Sequence, residues 1–179
     1  MGPVLALIDL QRIFADPDSG WAAPDFQRVV NPSKKLIEIL SPQVIFTRFV
    51  APEKPAGSWV TYYELYPFAL QSPDSDDYQL VDEFKGAPTL DKTTFGAWGP
   101  ELAERVGPGG HLVLAGVTTD CCVITTALAA VDAGVYVQVV EDACAGSDDE
   151  SHRKAIDIMR LYSPMLEIVT ADHFLRLNP

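Results

Sequence analysis

A buried strand, a tight turn and a helix follow directly on one another in residues 111–134. The short apolar run 111–115 predicts a strand that reaches its carboxyl end. The small and apolar residues before Gly134 predict a packed helix with a glycine stop. The turn between strand and helix contains Cys121 and Cys122. A cysteine is therefore expected where a strand, a turn and a helix meet.

The position of these cysteines allows two interpretations. In the first turn of a helix, backbone N–H groups have no helical partner and the helix dipole is positive, so a thiolate is favoured over a thiol. The thiolate is the nucleophilic form, and the same N–H groups can bind an oxyanion. The alternative is that the cysteines are small buried side chains. Because neighbours on a helix face different ways, we expect at most one of Cys121 and Cys122 to face a site.

Short apolar runs alternate with helical segments along the whole chain. Strands are predicted at residues 4–8, 44–48, 87–92, 111–115, 135–140 and 166–169, and helices at residues 26–40, 101–106, 123–133 and 148–161. This alternation predicts an α/β fold, a doubly wound three-layer α/β/α arrangement with a mostly parallel sheet of about six strands. A chain of 179 residues suits one domain, which we expect to span residues 1–179.

Two charged residues stand at the ends of other predicted strands. Asp9 comes directly after the apolar run 4–8, and Lys92 ends the predicted strand 87–92. The carboxyl ends of the strands form the edge at which open α/β sheets bind ligands. Taken alone, Asp9 is also typical of a turn or a helix N-cap, and a lone lysine is usually a solvated surface charge.

Asp9, Lys92 and the cysteine pair nevertheless make a coherent chemical set. A carboxylate can accept the thiol proton and later return it to a leaving amine. An ammonium group lowers the pKa of a thiol and balances developing negative charge. The three groups together predict a nucleophile that cleaves amides without a histidine.

Charge and cysteine content narrow the possible partners and the location. The formal net charge of -12 disfavours nucleic acid and anionic membrane surfaces. No apolar run approaches the roughly 20 residues of a membrane span. The three cysteines are an odd number without zinc-type spacing, so we expect free thiols in a reducing cytoplasm.

Residues 50–80 are the least regular part of the sequence. Prolines interrupt them repeatedly, and aromatic residues cluster there: Trp59, Tyr62, Tyr63, Tyr66 and Phe68. A long loop with its own aromatic residues is typical of a binding loop or an interface. The alternative is a satellite hydrophobic cluster beneath the loop.

The three candidate segments resemble one known family. Residues 7–11 (LIDLQ), 91–98 (DKTTFGAW) and 116–123 (GVTTDCCV), with the ending 168–172 (IVTAD), are similar to motifs of the isochorismatase-like cysteine hydrolases. This superfamily includes nicotinamidases, carbamoylsarcosine amidohydrolases and ureide hydrolases. The resemblance covers nearly the whole chain, and it is specific because the motifs occur together.

The resemblance implies a role for each candidate residue. Cys122 would be the nucleophile, Asp9 the general base and then the general acid, and Lys92 the cationic third member. A cis peptide bond is implied at Val117–Thr118, with the backbone N–H groups of Thr118 and Cys122 forming the oxyanion hole. The implied reaction is attack on the carbonyl of a small amide or ureide, loss of ammonia or an amine, and hydrolysis of the thioester by water.

The resemblance also bears on the metal, the pocket and the assembly. Nicotinamidases carry a metal site built on an aspartate and histidines after the second strand, but residues 44–110 contain no histidine. We therefore expect no metal and no cofactor. The family implies a homo-oligomer, a dimer or a tetramer. Five residues are expected to line the substrate pocket: Gln11, Phe14, Phe49, Trp59 and Trp98.

Two other functions are compatible with the same sequence. An isochorismatase-type ether hydrolase would use the same pocket without covalent chemistry. A non-catalytic binding protein would keep the fold with an unreactive Cys122.

Overall fold

The computed structural model describes residues 2–177 as a twisted parallel sheet between two layers of helices. The six strands are β1 (Val4–Ile8), β2 (Val44–Phe49), β3 (Thr89–Lys92), β4 (His111–Val117), β5 (Tyr136–Ala145) and β6 (Leu166–Val169). Their order across the sheet is β3-β2-β1-β4-β5-β6, and every pair of neighbours is parallel.

Helices cover both faces of this sheet. They are α1 (Arg12–Ala15), α2 (Phe26–Leu40), α3 (Ser58–Leu65), α4 (Pro100–Val106), α5 (Ile124–Asp132), α6 (Asp149–Arg160) and α7 (Ala171–Leu177). Residues of α1, α2, α3 and α7 join one apolar cluster, and residues of α4, α5 and α6 join a second cluster on the opposite face. The predicted single-domain, doubly wound three-layer α/β fold is confirmed.

The strand order reverses between β1 and β4, the two central strands. β1 is buried along its whole length, which accounts for its unbroken apolar sequence. In doubly wound sheets, ligands bind at the carboxyl ends of the strands where the order reverses. In this chain, Asp9 and the turn that carries the cysteines both follow these two strands.

The main differences between the structure and the sequence-based expectation lie in α3, β5 and the turn before α5. Residues 58–65 form helix α3 within the irregular region. β5 continues to Ala145 instead of ending at Val140, and its pairing with β4 changes register, since Leu114 pairs with Val139 and Gly116 with Cys144. A π-helical turn, Thr119–Val123, comes before α5. None of the helices among residues 2–177 combines the length and apolarity that a membrane crossing needs.

Gly116 permits the close approach of the two central strands. It pairs with Ile8 in register, and its φ of 118° lies in the region that favours glycine. A Cβ built at Gly116 would lie 2.1 Å from the carbonyl oxygen of Ile8. Any side chain here would push β1 and β4 apart immediately before Asp9 and the cysteine turn.

We expect Gly116→Ala to lower the free energy of unfolding by about 3 kcal/mol or more, because the clash is with backbone that cannot rotate away. The matched control is Gly134→Ala, which also has positive φ but has nothing within 4 Å of the added Cβ. That control should cost about 1–2 kcal/mol, the ordinary penalty of a left-handed residue. Urea unfolding followed by circular dichroism measures both. Equal losses in the two variants would contradict the proposed clash.

Candidate active site

Asp9 is held at the carboxyl end of β1 in an unusual backbone conformation. Its φ is 51°, in the left-handed region, and its side chain is fully buried. The carboxylate Oδ1 accepts a hydrogen bond of 2.7 Å from the hydroxyl of Thr47 on β2, and the backbone N–H of Asp9 donates to the same hydroxyl at 3.1 Å. Thr47 thus fixes both the main chain and the side chain of Asp9.

Lys92, at the end of β3, is the counter-ion of Asp9. Its Nζ lies 2.7 Å from Asp9 Oδ2 and also donates to the carbonyl oxygens of Thr94 at 3.0 Å and Phe95 at 2.8 Å. The side chain of Lys92 is 5% exposed. Burial alone would lower its pKa, but Asp9 and Cys122 raise the pKa of Lys92 above the ordinary value. The pair is therefore a buried ion pair, with all three ammonium hydrogens engaged.

The π-helical turn presents Cys122 beside this ion pair. The peptide bond Val117–Thr118 that leads into the turn is cis. The carbonyl oxygen of Thr118 accepts hydrogen bonds of 3.1 Å from the N–H groups of Cys121 and Val123, the residues on either side of Cys122. The hydroxyl of Thr126 donates to the carbonyl of Cys122 at 2.7 Å, so the turn is fixed from both ends.

The two cysteines share a hydrogen bond and differ in acidity. That bond, burial and the Asp9 carboxylate raise the pKa of Cys122 well above its ordinary value, although Lys92 opposes them. The same bond lowers the pKa of Cys121, although burial acts in the opposite direction. The interactions of Cys122 oppose the thiolate that the helix N-terminus was expected to favour at this residue. Its burial, at 4% exposed, and its proximity to a carboxylate favour the thiol.

A cavity of about 330 Å³ opens next to these groups. Its polar side is formed by Thr118, Asp120, Cys121, Cys122 and Ser147. Its remaining wall is largely aromatic, from Phe14, Trp21, Phe49, Tyr62, Tyr66 and Phe95. An apolar cavity with a few convergent polar groups is the usual form of a small-molecule site.

Trp21 organises the aromatic wall. Its ring stacks on Phe14 at 6.0 Å between centroids and meets the edge of Phe49 at 5.5 Å. Tyr62 and Tyr66 of the segment around α3 lie 6.0 Å and 5.8 Å from it. Burial raises the pKa of Tyr62, so its phenol stays neutral. These contacts join the loop before α2 to the region of α3 around one cavity.

Comparison with known proteins identifies the family. The family model for the isochorismatase domain matches residues 3–172. The chain belongs to the isochorismatase family. This is a family of isochorismatase-like hydrolases, and the resemblance noted in the sequence motifs is confirmed. A comparison with curated protein sequences found no match.

Solved structures show the same isochorismatase-like fold. An isochorismatase-like hydrolase from Alkaliphilus metalliredigens superposes with a TM-score of 0.82 at 15% identity, over 99% of each chain. N-carbamoylsarcosine amidase from Thermoplasma acidophilum gives 0.74 at 21% identity, over 96% of this chain and 98% of the other. Nicotinamidase from Bacillus subtilis gives 0.73 at 17% identity, over 94% and 99% of the two chains.

Of the five residues expected to line the pocket of this isochorismatase-family protein, Phe14 and Phe49 do so. Gln11 instead ties strands together. Its amide donates to the carbonyl oxygens of Phe49 and Tyr78, both at 2.8 Å, and accepts from the N–H of Phe49 at 2.7 Å. Gln11 is fully buried and does not line the cavity, since its side chain bonds to the backbone instead.

The two predicted tryptophans also take other positions. Trp59 lies behind the wall, with its ring 4.8 Å from Phe95 and 5.3 Å from Tyr62. Trp98 lines a separate, more open cavity. The chain after β3 turns across α5 at this point, and the N–H of Ala97 donates to Thr126 of α5 at 2.9 Å. Trp59 therefore supports the pocket, and Trp98 is not part of it.

Sequence reasoning missed several residues of the site. Thr47 is a polar residue inside an apolar strand, and Trp21 is a large aromatic residue in a segment otherwise rich in Asp, Pro and Gly. Both residues differ from their sequence neighbours in polarity, but this difference does not show what their side chains contact. Across residues 2–177, histidine, cysteine and acidic side chains form no group of three that could hold a metal ion.

Removing the charge of Lys92 tests the buried ion pair. In Lys92→Met, Asp9 keeps a buried charge without its partner, so we expect the free energy of unfolding to fall by about 3–5 kcal/mol. The double variant Asp9→Asn, Lys92→Met should recover part of this loss, because neither charge remains. The control is Arg12→Met, which breaks the exposed pair with Asp82 (2.8 Å) and should have a much smaller effect. Equal losses for Lys92→Met and Arg12→Met in urea unfolding would contradict the account.

The unequal burial and acidity of the cysteines predict an order of alkylation in the protein without substrate, because Cys121 is partly exposed and Cys122 is buried. Iodoacetamide reacts with thiolates, so as the pH rises from roughly 7 to 9 we expect Cys121 to be modified before Cys122. Cys144 should remain unmodified, since burial raises its pKa to about 12. Fragmentation of the peptide that contains both neighbouring cysteines separates the two sites. In urea all three should react alike, and preferential labelling of Cys122 in the native protein would contradict this order.

Proposed function

We propose that this protein is a cysteine hydrolase that cleaves a carbon–nitrogen bond of a small amide or ureide through a thioester on Cys122. One observation carries the proposal. A buried ion pair, Asp9 with Lys92, lies beside Cys122, and Cys122 itself lines an aromatic cavity. The family is one of hydrolases, and an amidase is among the structures that share its fold.

The first half of the reaction forms the acyl-enzyme. Asp9 accepts the proton of the Cys122 thiol as Sγ attacks the substrate carbonyl carbon. The backbone N–H groups of Thr118 and Cys122 stabilise the oxyanion that develops. Asp9 then gives the proton to the leaving nitrogen, the carbon–nitrogen bond breaks, and ammonia or an amine departs. A resting thiol at Cys122 agrees with this scheme, since the proton is removed only when substrate is present.

The second half hydrolyses the thioester. Asp9 accepts a proton from water as the water oxygen attacks the thioester carbonyl carbon. The carbon–sulphur bond then breaks. The proton returns to Sγ, and the acid product leaves. Lys92 and Thr47 hold the Asp9 carboxylate by contacts of 2.7 Å each, so its position does not change as its charge does. Preorganisation of this kind lowers the reaction barrier without binding the substrate more tightly.

Hydroxylamine trapping tests the thioester. A panel of small amides, ureides, carbamoyl amino acids and lactams is assayed for release of ammonia or amine, with and without hydroxylamine. A thioester partitions to hydroxylamine, so we expect the hydroxamate of the acyl part to form. Cys122→Ala and Asp9→Asn should each lower turnover by at least about a thousandfold. Cys121→Ala should still form the hydroxamate.

The outcomes also separate the alternatives. Turnover that survives in Cys122→Ala without hydroxamate would contradict the thioester and favour hydrolysis without covalent chemistry, as in the ether-hydrolase alternative. An absence of turnover across the whole panel, with folded protein, would favour a binding protein.

A further inference from the structure

The charge of the cavity restricts what it can bind. Among the described residues that line the cavity, Asp120 is the one with a formal charge at neutral pH. No lysine, arginine or histidine is among those lining residues. A substrate carboxylate would therefore enter a largely aromatic cavity that contains a like charge and, among these lining residues, no cation to pair with it, which is unfavourable.

Lys92 cannot take that role. Its three ammonium hydrogens are engaged by Asp9 Oδ2 at 2.7 Å and by the carbonyl oxygens of Thr94 and Phe95 at 3.0 Å and 2.8 Å. A lysine has no further donor. Its charge is balanced by Asp9, so binding a substrate carboxylate would require one of these contacts to break.

Asp120 is fixed at the wall of the cavity. Its Oδ1 accepts the N–H of Ser147 at 2.8 Å, and its Oδ2 accepts the hydroxyl of Ser147 at 2.7 Å. Gly146 allows this approach, since a Cβ there would lie 2.9 Å from Asp120 Oδ1. Each carboxylate oxygen has a second lone pair. The Ser147 contacts hold the carboxylate in place and leave acceptor capacity for a ligand.

A bound cation is stabilised by aromatic rings as well as by a carboxylate, and the cavity wall supplies such rings. Six aromatic side chains line the cavity together with this single carboxylate. The faces of aromatic rings attract cations, and rings of this kind around a carboxylate are suited to an alkylated or aromatic ammonium group. The cavity volume of about 330 Å³ is near the lower end of ligand pockets, so the ligand is small.

We propose that the cavity selects amides or ureides whose non-reacting end carries a positive charge, held between the aromatic wall and Asp120. The selection rests on the proposed function, because the uncharged carbonyl end must lie at Cys122. Substrates with a carboxylate at the same end, such as carbamoyl amino acids, are rejected.

Three amides of the same length test the selection. They are the primary amide of trimethylammonio-butyric acid, its analogue with carbon in place of the charged nitrogen, and the monoamide of glutaric acid. Calorimetry measures their affinities for the Cys122→Ser variant, in which hydrolysis does not interfere. The cation should bind about tenfold more tightly than its uncharged analogue, and the carboxylate more weakly than both.

Asp120→Asn tests the carboxylate separately. An asparagine can accept from the N–H of Ser147 and donate to its hydroxyl, so the turn is preserved while the charge is removed. The preference for the cation over the uncharged amide should fall several-fold. The matched control is Asp132→Asn, which removes the same charge at the exposed far end of α5 and should keep the preference. Thermal unfolding checks that both variants fold.

The results are decisive in each direction. Equal or tighter binding of the uncharged amide or of the glutaric monoamide would overturn the proposal. Failure of all three ligands to bind would overturn it as well, and so would a preference that survives in Asp120→Asn. If the cation binds best but the protein with Cys122 intact hydrolyses none of the three, selection by charge stands and the proposed hydrolase function fails.

Discussion

The buried ion pair between Asp9 and Lys92 is the interaction on which the rest of the site depends. It joins the end of β1 to the end of β3 across β2, and Thr47 of β2 bonds to the same carboxylate. Two charges out of water are costly unless each has its partner and further hydrogen bonds. Here Asp9 has Thr47, and Lys92 has two carbonyl oxygens. The pair is thus fully compensated and has little freedom to rearrange.

This compensation explains how a carboxylate and a thiol can lie buried near one another. Lys92 balances the charge of Asp9 at 2.7 Å. The same carboxylate, together with burial and the Cys121 bond, raises the pKa of Cys122. The proposed reaction then requires no thiolate before substrate arrives. The aromatic wall, organised by Trp21, forms most of the rest of the cavity lining.

Much of this arrangement could be predicted from sequence, for a physical reason. Buried parallel strands give unbroken apolar runs, and the first polar residue after each run marks the strand's carboxyl end. Asp9, Lys92 and the cysteine turn could therefore be assigned to one edge of the sheet before their contacts were known. Positions and properties that depend on tertiary contacts could not be predicted from the sequence. Gln11 bonds to backbone groups of another strand, and Trp98 follows a turn across α5. The neighbouring Cys121 and burial raise the pKa of Cys122 although it lies near the start of a helix.

The placement of the aromatic residues could likewise be predicted only in part. Their clustering indicated a binding loop or an interface, but α3 was not expected, and the helix decides which rings reach the cavity. Tyr62 and Tyr66 line it, whereas Trp59 packs behind them. Trp21 reaches the cavity from a different loop, which α2 and β2 separate from α3 in the sequence. Contacts between distant loops have no periodicity that a sequence can display.

In the proposed reaction, Asp9 and Lys92 assist Cys122 and not the neighbouring Cys121. The most direct measurement is mass spectrometry of the protein quenched in acid during turnover of an amide that it hydrolyses, with fragmentation of the peptide that contains both cysteines. The account predicts an added acyl mass on Cys122, carried also by Cys121→Ala and absent from Cys122→Ala. An acyl group on Cys121, or none on either sulphur while product accumulates, would contradict it.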